Sequence, residues 1–317
     1  MFHNKADYVC FWGVFFAVKK LNILLLFSLS KKNLVYNYSV LVRKEREFML
    51  SVNDLKKESK NPKVLLDVNC DLAQSFGVYK NDTEFELLPF VSSVNISCGL
   101  HSGDPMVINK ALKLAKENNL SIGAHIGYPD LQGFGYREMN LSVDEIEALV
   151  LYQIGAIQSM AKAQGLKVSH VRLHGALYKK AISDFQTMLA IANTIKKIDP
   201  WMILLCAPCP NLEKACEAAE IKYGAEIFLD KKYTVEGLPN FDVNEVVDLE
   251  YSEKQLDSIL AGAGVINENN GVTPIEFHSI HLNMKNELSL DVAQMVKNKI
   301  DEFVPLNVSI LEDKSWV

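Results

Sequence analysis

Six short apolar runs in this chain each end within a few residues of a carboxylate or a histidine, and that repetition narrows the fold more than any other feature. They are VLLDVNCD (Asp67, Asn69, Asp71), VNISCGLHSGD (His101, Asp104), SIGAH (His125), VRLHGALY (His174), AEIFLD (Glu226, Asp230) and TPIEFH (His278). Segments with helical spacing separate most of them. A strand–helix unit repeated with polar groups at the strand ends is how a parallel α/β protein builds a pocket. The pattern predicts strands near 64–68, 94–98, 121–125, 169–173, 202–206, 225–229, 273–278 and 305–310. Helices are expected over 105–118, 142–164, 184–198, 211–220, 252–262 and 291–303. In 142–164, Ser142 followed by Glu145 is a capping-box signature, and Ile146, Leu149, Val150, Ile154, Ile157 and Met160 share one apolar side. About eight strands alternating with about seven helices over ~250 residues describe an α/β chain folded as an irregular, TIM-like (β/α) barrel. An open doubly wound sheet is the other arrangement considered.

Chemistry concentrates at those strand ends. Asp67, Asn69 and Asp71 alternate, so their side chains share one face of a strand. Two carboxylates so placed suit a divalent cation or an acid/base pair, whereas a structural role would be to cap the next loop. His101, His125 and His174 occupy equivalent positions after apolar runs. Imidazole serves proton transfer and zinc ligation alike, and the spacing does not separate the two. His170, four residues before His174, is expected to face away from the pocket, and His281 is ambiguous. The segments 126–141 and 231–251 are irregular and polar, as pocket-shaping βα loops are. Cys206-Ala-Pro-Cys209 is a lone CxxC, a weak signal for redox or zinc chemistry. GxGxxG, GxxxxGK[ST] and a serine nucleophile elbow are all missing, so any ATP must be bound by another arrangement or on a partner subunit.

Composition adds exclusions. The net charge of −6 hides 12 Lys/Arg against 5 Asp/Glu in residues 1–63, a local +7, and 21 against 34 in the remainder, or −13. An acidic body of that kind argues against a nucleic-acid partner. The 6 cysteines read as reduced thiols rather than a secreted disulfide framework. Residues 1–63 are expected to be a non-core extension and linker, and 64–312 the barrel domain. CFWGVFFAV and LNILLLFSLS are separated by Lys19 and Lys20, so neither run reaches the ~20 apolar residues of a spanning helix. Translation starting at Met49 is one explanation of this stretch; a signal peptide or membrane anchor is the other. A cytoplasmic protein is expected.

Taken in order, DVNCD, NISCGLHSGDP, IGAHIGYPDLQGFGYR, VRLHGALY and EIFLDKKY resemble the LamB/YcsF family from about Val64 to Ile310. The resemblance implies an irregular barrel of the glycoside hydrolase/deacetylase kind. It implies ATP-dependent opening of the 5-oxo-L-proline lactam to L-glutamate, in company with B- and C-type subunits that hold the ATP and Mg. The implied catalytic set is Asp67, Asn69, Asp71, His101, His125, His174 and Asp230. The implied substrate-binding set is Asp104, Arg137, Arg172, Tyr178, Glu226, Tyr233 and His278, with the product carboxylate received near Arg137 or Arg172. Against the family pattern, Ala73-Gln74 replaces Gly-Glu, Arg172-Leu173 replaces Lys-Pro, Lys179 replaces Asn, Lys231 replaces Arg, and a terminal HGD reads His278-Ser279-Ile280. Two other functions follow from the same residues. One is a metal-dependent, deacetylase-like hydrolase acting on a carbohydrate, with Asp71, His101 and His125 as ligands. The other is a degenerate binding or scaffold subunit, motivated by Gln74 and Ile280.

Overall fold

The computed structural model describes residues 65–241, 247–283, 288–300 and 302–305, so the expectations for residues 1–63 lie outside the described residues. Strands β1 (Leu65–Leu72), β2 (Ser93–Ser97), β3 (Ser121–Ile126), β4 (Val168–Leu173), β5 (Ile203–Cys206) and β6 (Tyr223–Phe228) pair side by side, all parallel. A two-residue hairpin pair, β7 (Val265–Ile266) and β8 (Val272–Thr273), stands apart. Strand β9 (Ser279–Leu282) then pairs with both β6 and β1, which closes a barrel of seven parallel strands among the described residues. Short β10 (Glu302–Phe303) lies beside the start of β1. The α/β, TIM-like barrel is the observed fold, and the open sheet is not.

The helices are α1 (Pro105–Glu117), α2 (Val143–Ala163), α3 (Gly175–Ser183), α4 (Phe185–Ile198), α5 (Pro210–Ala219), α6 (Leu249–Leu260) and α7 (Leu288–Lys299). A 3-10 stretch over Asp82–Phe90 and helix α3 are additions to the sequence-based expectation. The capping box of α2 is present as expected, and Ile146, Val150, Ile154, Ile157 and Ala161 bury its apolar face. Among the described residues no helix is long and apolar enough to cross a membrane, and Cys70, Cys98, Cys206, Cys209 and Cys216 are free thiols.

One strand expectation needs correction and another lies almost wholly outside the described residues. The run 273–278 is not a barrel strand: Pro274 carries no N–H for a ladder, and β9 begins only at Ser279. The run 305–310 falls almost wholly outside the described residues, with β10 just before it.

Alternation along the strands sends apolar side chains outward to the helices and polar ones inward. Val68, Cys70 and Leu72 are fully buried on the helix side. Asp67, Asn69 and Asp71 point into the barrel at three successive depths. The deepest, Asp67, accepts hydrogen bonds from Ser92 Oγ and Ser93 Oγ at 2.8 Å each and from Ser279 Oγ. In the middle layer Asn69 Nδ2 donates to Ser279 Oγ at 2.7 Å, while its Oδ1 accepts from Asn95 Nδ2 at 2.8 Å. His170 also points inward, contrary to the expectation. Four residues is two full strand periods, so it shares the face of His174 and simply lies deeper. Its Nε2 donates to Asn95 Oδ1 at 2.9 Å, and its Nδ1 lies 2.8 Å from Ser169 Oγ. Burial, then Arg172 and His125, push its pKa down to about 3, so the ring is neutral.

The imidazole of His170 fits only because residue 123 is glycine. A Cβ there would overlap the ring. Gly123→Ala is therefore expected to cost ~1–3 kcal/mol through overpacking, read as a lower urea midpoint. Adding His170→Ala to that variant should recover part of the loss, because the two changes share one space.

Candidate active site

The mouth of the barrel carries a charged cluster at the ends of β1, β4 and β6. Arg172, on β4, is buried and donates from Nε to both oxygens of Glu226 at 2.9 Å. Its Nη1 donates to both oxygens of Asp71 at 3.1 and 3.2 Å. Tyr178, on α3, donates to Glu226 Oε1 at 2.8 Å and accepts from the Ala207 amide at 2.6 Å. Burial alone would raise the Asp71 pKa, but Arg172, His125 and His281 outweigh it and hold the carboxyl well below its ordinary range. Asp71 is thus an anion at neutral pH, held by a cation that two carboxylates share.

Four histidines surround it. His281, at the end of β9, has Nδ1 2.8 Å from Asn69 Oδ1. A carboxamide oxygen only accepts, so His281 carries its proton on Nδ1 and its basic nitrogen is Nε2, 3.7 Å from Asp71 Oδ2. By the same logic His174 Nε2, 2.6 Å from the Phe134 carbonyl, is the protonated nitrogen of that ring. His125 Nε2 lies 3.0 Å from His174 Nδ1 and 3.3 Å from Asp71 Oδ2. His101 stacks on His174 with centroids 4.1 Å apart and planes 13° from parallel. Burial and the neighbouring rings lower the His101 pKa well below its ordinary value and bring that of His174 down to about 3. The loop after β3 seals this cluster: a side chain at Gly135, where φ is +73°, would collide with His174 and His101.

A cavity of about 180 Å³ opens over the cluster, lined by Asp71, Gln74, Tyr136, Arg172, His174, Tyr178, Lys179, Phe228, Lys231, Phe241, His281 and Asn283 among others. That is smaller than the ~300–1,000 Å³ of sites for drug-sized ligands. His101 and His125 lie behind this lining. Their Nδ1 atoms are buried with no hydrogen-bond partner among the described residues.

The remaining expected site residues fall elsewhere. Asp67 and Asn69 belong to the floor. Asp104 caps α1, accepting from the amides of Met106 and Val107 at 2.9 Å each, and also takes the Gly77 amide at 2.9 Å. Arg137 pairs with Asp130 outside the cavity lining. Tyr233 is fully buried, its hydroxyl engaged by the backbone N–H and C=O of Phe228. Asp230 follows β6 and pairs with Lys231 at 3.3 Å. His278 sits at the opposite, N-terminal end of β9, where its Nδ1 accepts from the Ala225 amide at 2.9 Å. The strand-end triplet is accordingly His281-Leu282-Asn283. At that end Asn283 lines the cavity, whereas Ile280 is fully buried and does not. Sequence reasoning left His281 undecided. The signal that could have placed it is its period-two spacing from Ser279 within SIHL.

Beside the mouth, Glu84 is fully buried and accepts from the Gln74 amide at 2.9 Å, while its Oε1 has no partner among the described residues. Burial raises its pKa to about 7 from an ordinary 4.5. A carboxyl with a raised folded pKa favours the fold when protonated, so its contribution is complete below about 4.5 and is lost as pH rises to about 7. Glu84→Gln should gain in melting temperature relative to the parent across that window, by up to ~3 kcal/mol equivalent. Thermal melts at pH 4.5, 6 and 8 would check this; a constant difference would contradict it.

His101, His125 and His174 offer ring nitrogens within 4.8 Å of one another. Two imidazole planes that both contain one metal ion cannot be stacked face to face, so His101 and His174 do not ligate together as placed. His125 Nε2 has His174 Nδ1 at 3.0 Å and Asp71 Oδ2 at 3.3 Å, so it is the ring nitrogen that both other donors approach.

The sequence profile of the LamB/YcsF family matches residues 66–309. The chain is 37% identical over 240 residues to the A-type subunit of 5-oxoprolinase from Clostridium beijerinckii, covering 75% of this chain and 94% of that protein. It is 38% identical over 246 residues to the protein of the same name from Acinetobacter baumannii, covering 75% and 97%. Among solved structures it is similar to the lactam utilization protein of Thermus thermophilus, with a TM-score of 0.70, 34% identity, and coverage of 77% and 99%.

Proposed function

Because the chain belongs to the LamB/YcsF family, we propose that its barrel mouth binds and opens 5-oxo-L-proline, yielding L-glutamate, as one component of a multi-subunit, ATP-dependent 5-oxoprolinase. Relatives at 37% and 38% identity are named as the A-type component of that enzyme, which supports a multi-subunit assembly acting on a small molecule. The observation that carries the reading is the small cavity whose lining combines anionic Asp71, Arg172 and tautomer-fixed His281. The chain carries neither GxGxxG nor GxxxxGK[ST], so ATP and Mg are assigned to B- and C-type partner subunits.

Within the cavity the ring carbonyl faces Arg172, whose Nη2 bonds neither Glu226 nor Asp71 and donates a hydrogen bond to the oxygen as charge builds on it. His281 Nε2 takes a proton from the attacking water, and Asp71 stabilises the imidazolium that results. The same proton then passes to the ring nitrogen as the C–N bond breaks. His125, which lies behind the lining, positions Asp71 through its contact at 3.3 Å. The test is glutamate release from 5-oxoproline and ATP by this chain mixed with B- and C-type subunits, compared with each component omitted in turn. Glutamate formed equally well without this chain would refute the assignment.

A second reading is favoured by the histidine cluster: amide hydrolysis at a divalent cation held by Asp71, His125 and His174 rather than by the expected Asp71, His101 and His125. Such an ion would polarise a carbonyl or acidify a bound water. Stoichiometric zinc in the purified protein, lost in His125→Ala, would support it.

A further inference from the structure

Both arginines expected to receive the product carboxylate are already committed. Arg137 is paired with Asp130 and does not line the cavity. Arg172 faces Glu226 through Nε and Asp71 through Nη1, so one guanidinium is set against two carboxylates. An anion approaching that end meets net negative charge. Another part of the lining is different. Lys231, shortly after β6, lines the same cavity with its side chain 14% exposed. Its ammonium has three donors, and Asp230 Oδ2 at 3.3 Å engages one of them. Phe228 and Phe241, whose rings pack edge to face with centroids 5.5 Å apart, also line the cavity and supply its apolar surface.

We infer that Lys231 is the carboxylate subsite of this cavity and sets its preference for a lactam bearing an acid group. The inference rests on the lactam reading above. A five-membered ring lies against Phe228 and Phe241, its amide carbonyl turned to Arg172 and His281, its carboxylate on Lys231. Charge selection and chemistry are then carried by different residues of the lining, with the substrate's own anion on Lys231 rather than at Asp71.

Calorimetric titration of the full chain with 5-oxo-L-proline and with 2-pyrrolidinone, the same ring without the carboxylate, tests this. The parent should bind 5-oxoproline at least about tenfold more tightly, the worth of one charge-assisted hydrogen bond. Lys231→Met should abolish that advantage while leaving 2-pyrrolidinone within about twofold, and Lys231→Arg should keep it. Equal weakening of both ligands, unchanged 5-oxoproline binding, or loss of the preference only in Lys179→Met would overturn the inference. Binding of neither lactam by the parent would overturn the lactam reading itself, whereas binding of both without discrimination removes only the role of Lys231.

Discussion

Arg172→Met is expected to destabilise the barrel by about 3–5 kcal/mol, the usual cost of removing one partner from a buried ionic cluster. Glu226 is fully buried and Asp71 nearly so, and both direct their oxygens at this guanidinium. Without it, two carboxylates face each other across a low-dielectric barrel mouth, with Tyr178, Asn95 and His125 as their remaining donors. Chemical denaturation at pH 7 and pH 5 measures the effect. The deficit should shrink at the lower pH, because protonating a carboxylate relieves the uncompensated charge. A loss below ~1 kcal/mol at pH 7 would mean that the cluster is solvated well enough to behave like a surface pair.

His281→Ala is expected to lower turnover by ~10²–10⁴-fold in the complete enzyme assay, the range for a general acid/base. Its stability cost should be far smaller, ~1–2 kcal/mol, for the lost hydrogen bond to Asn69. Asn69→Ala leaves the ring in place but removes the acceptor that fixes its proton on Nδ1. Turnover should therefore fall in that variant too, with 5-oxoproline binding largely kept. Normal turnover in His281→Ala would move the proton-transfer role to another group.

The barrel was legible because its strands are short, buried and punctuated alike. All of β1 to β6 except β5 end near a carboxylate or histidine, and several of the helices that follow have caps that can be read, as at Asp104 and Ser142. Clustering of His101, His125 and His174 was legible for the same reason, since equivalent strand ends meet at one mouth. What failed was depth and register. Asp67 and Asp71 look alike in sequence, yet two strand periods separate a residue bonded to three serines from one at the cavity. His278 looked like a strand end because an apolar run precedes it, whereas the true strand is the four-residue SIHL, too short to show a pattern. Arg137 and Tyr233 carry suitable chemistry, and only three-dimensional packing shows that Asp130 and the Phe228 backbone engage them.

Strand β9 has a bearing on how freely this site can evolve. It is the seam of the cylinder: three of its residues pair with β6 on one side and all four with β1 on the other, and no other described strand bridges that gap. The seam also carries Ser279, bonded to Asp67, and His281, bonded to Asn69. Reactive group and fastening are therefore the same short piece of chain. An insertion or a one-residue slip here would turn His281 toward the helices and open the cylinder in a single step. Variation that retunes the pocket without undoing the barrel is confined to walls that take no part in closing the cylinder, such as the side chain of Lys231.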